Sequence, residues 1–284
     1  MNSSKTLPLQ PVKVEYNHLN YQITFITDGT KTSIGSENSK DFPKIEVSEE
    51  STGVIDLKIL KSINELVKPF SSSDELRPAM CGVYLGSQVC ATDGHRLAVY
   101  PFDFKEQIIV PKSLFDCVNC FSDDDIIYNI SGKNLTLRQN NTVYQVRLID
   151  ERFPDYQNAI PKSFDFNIKA VKSELIRVLQ SALIFTNKTN NQIKLTITGS
   201  VLNVSAQDLD FNKEFSSNIN LVESNIERFK IGLNCLFLLN AVKLFEESEI
   251  TLRFNMPNSL VGIDSVGNYA NYVMPLMLNE PVTA

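Results

Sequence analysis

Residues 135–154 read LTLRQNNTVYQVRLIDERFP, and residues 23–43 read ITFITDGTKTSIGSENSKDFP. The two stretches align at an offset of about 111 residues, and each has the alternating pattern of two strands that end in Phe-Pro. Residues 250–275 give a third copy, in which two strands are followed by Met-Pro. A repeat of this kind predicts a fold built from tandem copies of one structural unit.

The segments that follow each copy also correspond. A short strand at residues 53–57 precedes the apolar-periodic helix LKILKSINELVKPF at 57–70, and a strand at 164–170 precedes the helix KSELIRVLQSALIF at 172–185. Each unit is therefore predicted to contain two helices and about eight strands. The fold class is α+β, with the two helices of each unit packed on antiparallel sheets.

The repeat divides the chain into three parts. Complete units are predicted at residues 46–162 and 163–284, and residues 1–45 are predicted to hold only the closing strands of a preceding unit. A length of 284 residues with 43% hydrophobic content is sufficient for a core in each complete unit. Repetition implies duplication, and it does not by itself indicate a function.

The composition limits where such a chain could act. The N-terminus has no apolar signal segment, and no stretch approaches the roughly 18 apolar residues that a membrane span needs. Five cysteines, an odd number in a long chain, favour the reducing cytoplasm. The net charge of −6 argues against a protein that grips nucleic acid by charge alone, because phosphates are bound by clustered Lys and Arg.

Short motifs make the pattern more specific. They are RPAMCGV at 77–83, ATDGHRLA at 91–98, FPDY at 153–156, IGLN at 231–234 and YVMPL at 272–276. In this order and spacing they resemble the bacterial sliding clamp family, the beta subunit of DNA polymerase III. The resemblance implies DNA-clamp domains in tandem and a non-enzymatic processivity factor that tethers polymerase to duplex DNA. An acidic chain is compatible with this function, because a ring is held on DNA by its topology.

The resemblance also implies a groove between the second and third domains that binds short peptides from DNA polymerases, clamp loaders and repair proteins. Carried over position by position, its lining would be Met80, Thr92, Gly94, His95, Arg96, Leu97, Pro161, Asn234, Phe237, Val273, Met274, Pro275 and Leu276. Met, Leu, Phe and Pro would form an adaptable apolar slot, and Thr92, Arg96 and Asn234 could bind the peptide backbone. Taken alone, Asp93-Gly94 is an ordinary hairpin turn and Val-Met-Pro-Leu an ordinary edge strand.

The positions of DNA contacts are less specific. In the family, helices line the bore and present Lys and Arg to phosphates without reading the bases. The corresponding residues here would be Lys58, Lys61, Lys68, Lys172 and Arg177. Each of them could equally be an ordinary solvated helix residue, so both interpretations stay open.

Catalytic and metal chemistry have little support in the sequence. Asp93 and His95 could act as acid and base, but the chain has only two histidines and no nucleophile elbow, phosphate-binding loop or His-Glu-x-x-His. Cys117 and Cys120 have the spacing of a redox or zinc pair, yet no second pair follows, so buried structural thiols are favoured. Residues 123–125, all Asp, are interpreted as a solvated loop. We expect no enzyme, metal or cofactor.

The chain also departs from the family, which builds its ring from two subunits of three domains each. Two complete units would need a homo-oligomeric trimer to supply six domains. Pro78-Ala79 and the extension NEPVTA beyond the Met-Pro motif are further departures. Two hypotheses follow: a working processivity factor that slides on DNA, or a clamp-derived peptide-binding module of phage or mobile-element type that does not encircle DNA.

Overall fold

The computed structural model describes residues 10–41, 50–122, 125–264 and 269–278. The chain forms two compact units, residues 1–48 and residues 49–284. The first unit holds one antiparallel sheet of three strands in the order β1 (Lys13–Asn17), β2 (Gln22–Thr27) and β3 (Thr30–Gly35). The strands β2 and β3 are the pair predicted from the repeat, and the Phe-Pro that should end it lies outside the described residues.

The second unit begins with the elements of the first complete repeat. Its strands are β4 (Gly53–Asp56), β5 (Gly82–Leu85), β6 (Val89–Thr92), β7 (Arg96–Tyr100), β8 (Ile108–Pro111), β9 (Asp125–Ser131), β10 (Asn134–Gln139) and β11 (Thr142–Arg147). Helix α1 (Leu57–Ser62) follows β4, and short 3₁₀ helices lie at Pro78–Cys81, Lys112–Cys120 and Gln157–Ala159. Helix α1 begins where the Asp56 carboxylate accepts a hydrogen bond of 2.7 Å from the Lys58 amide, an N-cap that satisfies a free donor.

The second repeat continues the same design. Its strands are β12 (Phe166–Val171), β13 (Gln192–Thr198), β14 (Val201–Asp208), β15 (Lys213–Asn220), β16 (Glu223–Ser224), β17 (Arg228–Asn234), β18 (Glu249–Phe254), β19 (Val261–Asp264), β20 (Ala270–Val273) and β21 (Pro275–Leu276). Helix α2 (Lys172–Leu183) follows β12, and helix α3 (Cys235–Lys243) follows β17. The strand-then-helix order predicted for both repeats is confirmed.

Three antiparallel sheets carry the helices of this unit. Their strand orders are β11-β10-β9-β4, β16-β12-β18-β19-β20-β7-β6-β5-β8 and β15-β14-β13-β17-β21. The nine-stranded sheet includes strands of both repeats and is continuous between them at the β20–β7 pair. The apolar faces of the first helical segment and of α2 are buried in one shared core. Their buried side chains are Leu57, Leu60, Ile63 and Val67 in the first segment, and Leu175, Val178, Leu179 and Ala182 in α2.

The predicted helix at 57–70 is not a uniform α-helix. Helix α1 is followed by a π-helical turn at Ile63–Val67 and a 3₁₀ turn at Lys68–Phe70. Pro69 lacks an amide hydrogen, so the regular series of helical hydrogen bonds cannot continue through it. The predicted helix near residue 112 is likewise a 3₁₀ helix, Lys112–Cys120.

All five cysteines are free thiols. Cys117 is buried, and burial raises the pKa of its thiol to about 11, whereas Cys120 is exposed. The interpretation of this pair as two buried thiols is therefore correct for Cys117 and wrong for Cys120, because the second residue lies at the open end of the 3₁₀ helix. In the described ranges, no helix is both long enough and apolar enough to span a membrane.

Candidate peptide-binding site

The two halves of the second unit meet along a strand pair that brings the predicted groove segments together. In the register of β7 and β20, Leu97 faces Tyr272 and Arg96 faces Val273. The chain then leaves β20, and the Met274 amide donates a hydrogen bond of 2.8 Å to the His95 carbonyl oxygen. Strand β21 pairs with β17, with Pro275 opposite Leu233. The segments 94–97 and 273–276 are therefore neighbours, as the sequence predicted.

A rigid turn presents the first of these segments. The Thr92 hydroxyl donates to the Arg96 carbonyl oxygen at 2.6 Å and accepts from the Gly94 amide at 3.0 Å. Asp93 Oδ1 accepts from the amides of His95 at 2.9 Å and Arg96 at 2.8 Å. Gly94 has a backbone φ of +86°, a conformation that residues other than glycine rarely adopt. The hairpin interpretation of this motif is correct, and the turn also lies at the candidate site.

The Arg96 side chain lies at the centre of the seam. Its Nε and Nη2 atoms donate to Asp93 Oδ2 at 3.0 and 2.9 Å, and Nη2 also donates to the Pro69 carbonyl oxygen at 3.3 Å. Its guanidinium carbon is 5.2 Å from the ring centroid of Phe70 and 4.5 Å from that of Phe237. These distances are those of cation–π contacts. Arg96 thus contacts residues of both repeats.

Asn234 and Phe237 form the opposite side of the site. The Asn234 side chain accepts from the Phe237 amide at 3.1 Å, which caps helix α3, and donates to the Asn190 carbonyl oxygen at 2.8 Å. The Phe237 ring stacks on the His95 ring with centroids 6.2 Å apart. The cap therefore fixes the first turn of α3, which carries Phe237 to the turn of the other repeat.

These contacts change the expected roles of three residues. Thr92, Arg96 and Asn234 were expected to bind a peptide backbone, and all three already hydrogen-bond within the chain. Their observed role is to build the turn, the seam and the helix cap. Contact between these side chains and a partner remains a prediction.

Replacing Asn234 with alanine should remove the α3 cap and leave the Asn190 carbonyl without its donor. Loss of an N-cap costs about 1 kcal/mol, so we expect the free energy of unfolding to fall by about that amount. Urea denaturation followed by circular dichroism measures the change. An Asn234→Ala variant as stable as the unaltered chain would show that the cap contributes nothing.

The apolar members of the predicted groove differ in accessibility. Met274 is 40% exposed, whereas Leu97 is 5% exposed and Val273 is fully buried. The prediction that Val273 lines the groove is therefore wrong. Side chains alternate between the two faces of β20, so Val273 points to the same buried face as Asn271. Leu97 packs on the other face with a cluster that includes the partly buried Tyr272.

The remaining predicted residues lie at the edges of these segments. His95 is exposed, and Met80, Pro161, Pro275 and Leu276 are partly exposed. Pro161 follows Ile160, which packs on the Leu97 cluster. The Met80 carbonyl oxygen accepts a hydrogen bond of 2.8 Å from the Ser72 amide. This bond ties the 3₁₀ helix Pro78–Cys81 to the segment that follows Phe70.

Sequence reasoning missed several residues around the site. Phe70 was expected only as part of an amphipathic helix, and Asp93 only as a turn residue or an acid. A cleft of about 330 Å³ beside the terminal strand is lined by Gly232, Pro257, Asn258, Leu276, Met277 and Leu278, of which only Leu276 was predicted. No local sequence signal shows that these positions meet, because they lie far apart along the chain.

The five candidate DNA-contacting cations have different environments. Lys58 and Lys61 are exposed, and neither forms an ion pair within the described part of the chain. Lys68 pairs with Asp116 at 2.9 Å, and Arg177 lies 3.9 Å from Glu174. The Lys172 ammonium donates at 2.6 Å to the carbonyl oxygen of Phe245, just beyond the end of α3. Lys172 thus has a structural partner, and contact between Lys58 or Lys61 and phosphates stays a prediction.

Within the described ranges, no three His, Cys, Asp or Glu residues are grouped closely enough to hold a metal ion. Asp123 and Asp124 of the acidic loop lie outside the described residues. Both carboxylate oxygens of Asp93 are occupied by the turn and by Arg96, so an Asp93–His95 acid–base pair is not formed.

Comparison with known proteins agrees with this architecture. The DNA polymerase III beta subunit family matches twice: its central-domain model covers residues 55–155, and its C-terminal-domain model covers residues 157–277. A beta sliding clamp of Lactococcus lactis is 26% identical over 265 residues, which is 87% of this chain and 70% of that protein. One of Streptococcus pneumoniae is 22% identical over 291 residues, covering 95% and 77%.

Solved structures share the fold. The sliding clamp of Pseudomonas aeruginosa superposes with a TM-score of 0.81 at 19% identity, over 96% of this chain and 79% of that one. The beta subunit of Thermotoga maritima gives 0.83 at 22% identity, over 96% and 78%. With the paired seam, the repeat and the two family matches in agreement, this chain belongs to the DNA polymerase III beta subunit family, the bacterial sliding clamps.

Proposed function

We propose that this protein is a sliding clamp: a processivity factor that encircles duplex DNA and binds partner proteins in the groove between residues 92–97 and 273–278. The observation that carries the proposal is the hydrogen-bonded meeting of these segments at the β7–β20 seam. The names of the relatives, beta sliding clamps, support it. The protein acts in the cytoplasm without catalysing a reaction and without a metal or cofactor.

The proposed domains follow the repeat. Residues 46–162 and 163–284 form the middle and C-terminal clamp domains, and the family matches at 55–155 and 157–277 support this division. Residues 1–45 contribute closing strands of a first clamp domain, since the sheet order β1-β2-β3 repeats the order of β9, β10 and β11. The ring forms by homo-oligomerisation.

The proposed partners are short peptides from DNA polymerases and clamp loaders. The exposed face of the site offers flexible apolar side chains, with Met274 at 40% and Met277 at 79% exposure. Unbranched thioether side chains adapt to varied apolar anchors. The cleft beside β21 could receive a second anchor of the same peptide.

Duplex DNA contacts the first helical segment through exposed lysines in this proposal. Replacing both Lys58 and Lys61 with glutamate should weaken DNA binding uniformly across sequences and reduce the slope of its salt dependence by about two charges. Binding titrations over a range of salt concentrations measure the slope. As a matched control, Lys105→Glu with Lys188→Glu makes the same charge change at exposed loop positions. An equal loss in both variants would exclude a specific contact by this helix.

Retention on DNA tests the proposed function as a whole. The protein is incubated with a linear plasmid whose ends are then ligated, so that a ring threaded onto the DNA is trapped, and the complex is isolated by gel filtration before and after the circle is cut again with a restriction enzyme. A sliding clamp stays on the circle and is lost from the linear product. Absence of retention on the circle would contradict the proposal, and peptide binding without retention would instead favour a peptide-binding module that does not encircle DNA.

A further inference from the structure

The Arg96 guanidinium contacts an acidic side chain, a backbone carbonyl and two aromatic rings. We propose that Asp93 and Phe70 are positioning residues, which hold the Arg96 guanidinium against Phe237 so that the groove is formed before a peptide arrives. This inference rests on the proposed function, and it assigns the groove's affinity to residues that lie behind its lining.

Asp93 holds the Arg96 guanidinium in place. Asp93 Oδ2 accepts two hydrogen bonds from the guanidinium, and the two side chains are only 13% and 15% exposed. A charge-assisted contact with two donors on one carboxylate restrains both the position and the plane of the guanidinium. Asp93 Oδ1 meanwhile holds the backbone of the turn. One carboxylate therefore fixes both the backbone and the side chain of Arg96.

The aromatic contacts come from separate parts of the chain. Phe70 ends the 57–70 helical segment and is 1% exposed, and the preceding carbonyl of Pro69 accepts from Arg96. Phe237 belongs to the first turn of α3. The guanidinium lies within cation–π distance of both rings. The Phe70 ring thus supports Arg96 from the first repeat while Arg96 contacts Phe237 of the second.

The groove depends on this arrangement through Phe237 and His95. The Phe237 ring contacts both the guanidinium and the His95 ring, and the His95 carbonyl holds the Met274 amide. A freed guanidinium would release Phe237 and, through it, the wall that His95 and Met274 form. Since ordering a site in advance removes an entropic cost from binding, its loss should lower affinity without removing any lining residue.

Asp93→Asn isolates the proposed role. The amide oxygen can still accept from the two backbone amides of the turn, whereas the amide nitrogen can no longer accept from Arg96. The probe is a fluorescein-labelled decapeptide that carries a leucine and a phenylalanine two residues apart, and fluorescence anisotropy gives its affinity. We expect Asp93→Asn to weaken binding about tenfold. The control Asp150→Asn removes the exposed partner of Lys133, has no contact with Arg96 and should change nothing.

A double-mutant cycle separates positioning from a general effect on the turn. If Asp93 acts through Arg96, then Asp93→Asn should have almost no further effect in an Arg96→Ala background. Phe70→Leu, which keeps an apolar side chain in the core, should also weaken binding, and its thermal midpoint checks that it folds. Should the unaltered chain fail to bind the peptide, the proposed groove is wrong. Should it bind while Asp93→Asn binds equally well, or while the loss persists in Arg96→Ala, the positioning role is overturned.

Discussion

Met274→Ala is expected to weaken peptide binding by about 2 kcal/mol, a factor of roughly 30 in the dissociation constant. Met274 is the half-exposed apolar residue at the seam, and its amide is fixed by the His95 carbonyl. Truncation would remove the anchor's contact area while leaving that backbone hydrogen bond in place. Anisotropy titrations with a labelled Leu- and Phe-containing peptide measure the loss.

Val222→Ala is the control for this prediction. Val222 is 50% exposed on the loop between β15 and β16. Its amide donates a hydrogen bond to the Lys169 carbonyl oxygen, and alanine keeps this contact. We expect no change in peptide affinity for this variant. If Met274→Ala behaved like the control, Met274 would not be an anchor, and the peptide would bind elsewhere on the chain.

Gly232→Ala should disrupt the pairing of strand β21 with β17. A Cβ at this position would lie 2.5 Å from the carbonyl oxygen of Leu276, which is backbone that cannot rotate away, and 2.9 Å from Leu278 Cδ2. Gly232 and Leu276 are direct partners of the β17–β21 pair. Overpacking of this kind costs about 1–3 kcal/mol. We expect a lower unfolding midpoint and at least a tenfold loss of peptide affinity.

Gly35→Ala serves as its control, because no described atom lies within 4 Å of the Cβ it would add and its φ is not in the left-handed region. Chemical denaturation and anisotropy are measured on both variants. Stability and affinity that are unchanged in Gly232→Ala would show that β21 does not depend on close approach at Gly232. A loss of stability with full peptide affinity would show that the terminal strand is not part of the groove.

The sequence predicts this fold well because its signals are local and repeated. Alternation marks β10 and β11, and the Asn140 turn between them has φ of +51°, which asparagine tolerates. The same signals recur in β2 and β3. The mixed helix at 57–70 is missed because apolar spacing cannot distinguish α, π and 3₁₀ turns, although Pro69 does indicate an irregular end.

The candidate site is predicted less completely. Its two segments are found through their resemblance to the family, and the β7–β20 register then explains why they meet. The sequence does not predict which of the site's side chains are accessible. Val273 belongs to a motif, but the face of the sheet on which it lies depends on the register of its strand, and that face is buried. Phe70 and Asn190 contact the site from distant parts of the chain, so no spacing rule could connect them with Arg96 or Asn234.

Amide hydrogen exchange with and without the Leu- and Phe-containing peptide can show whether a partner binds where the two repeats meet. If the groove lies at the seam, the peptide should slow exchange in the 92–97 turn and in residues 272–278 together, and leave the far strands β15 and β11 unchanged. Protection of only one of the two segments, or protection confined to another surface, would contradict a groove shared between the repeats.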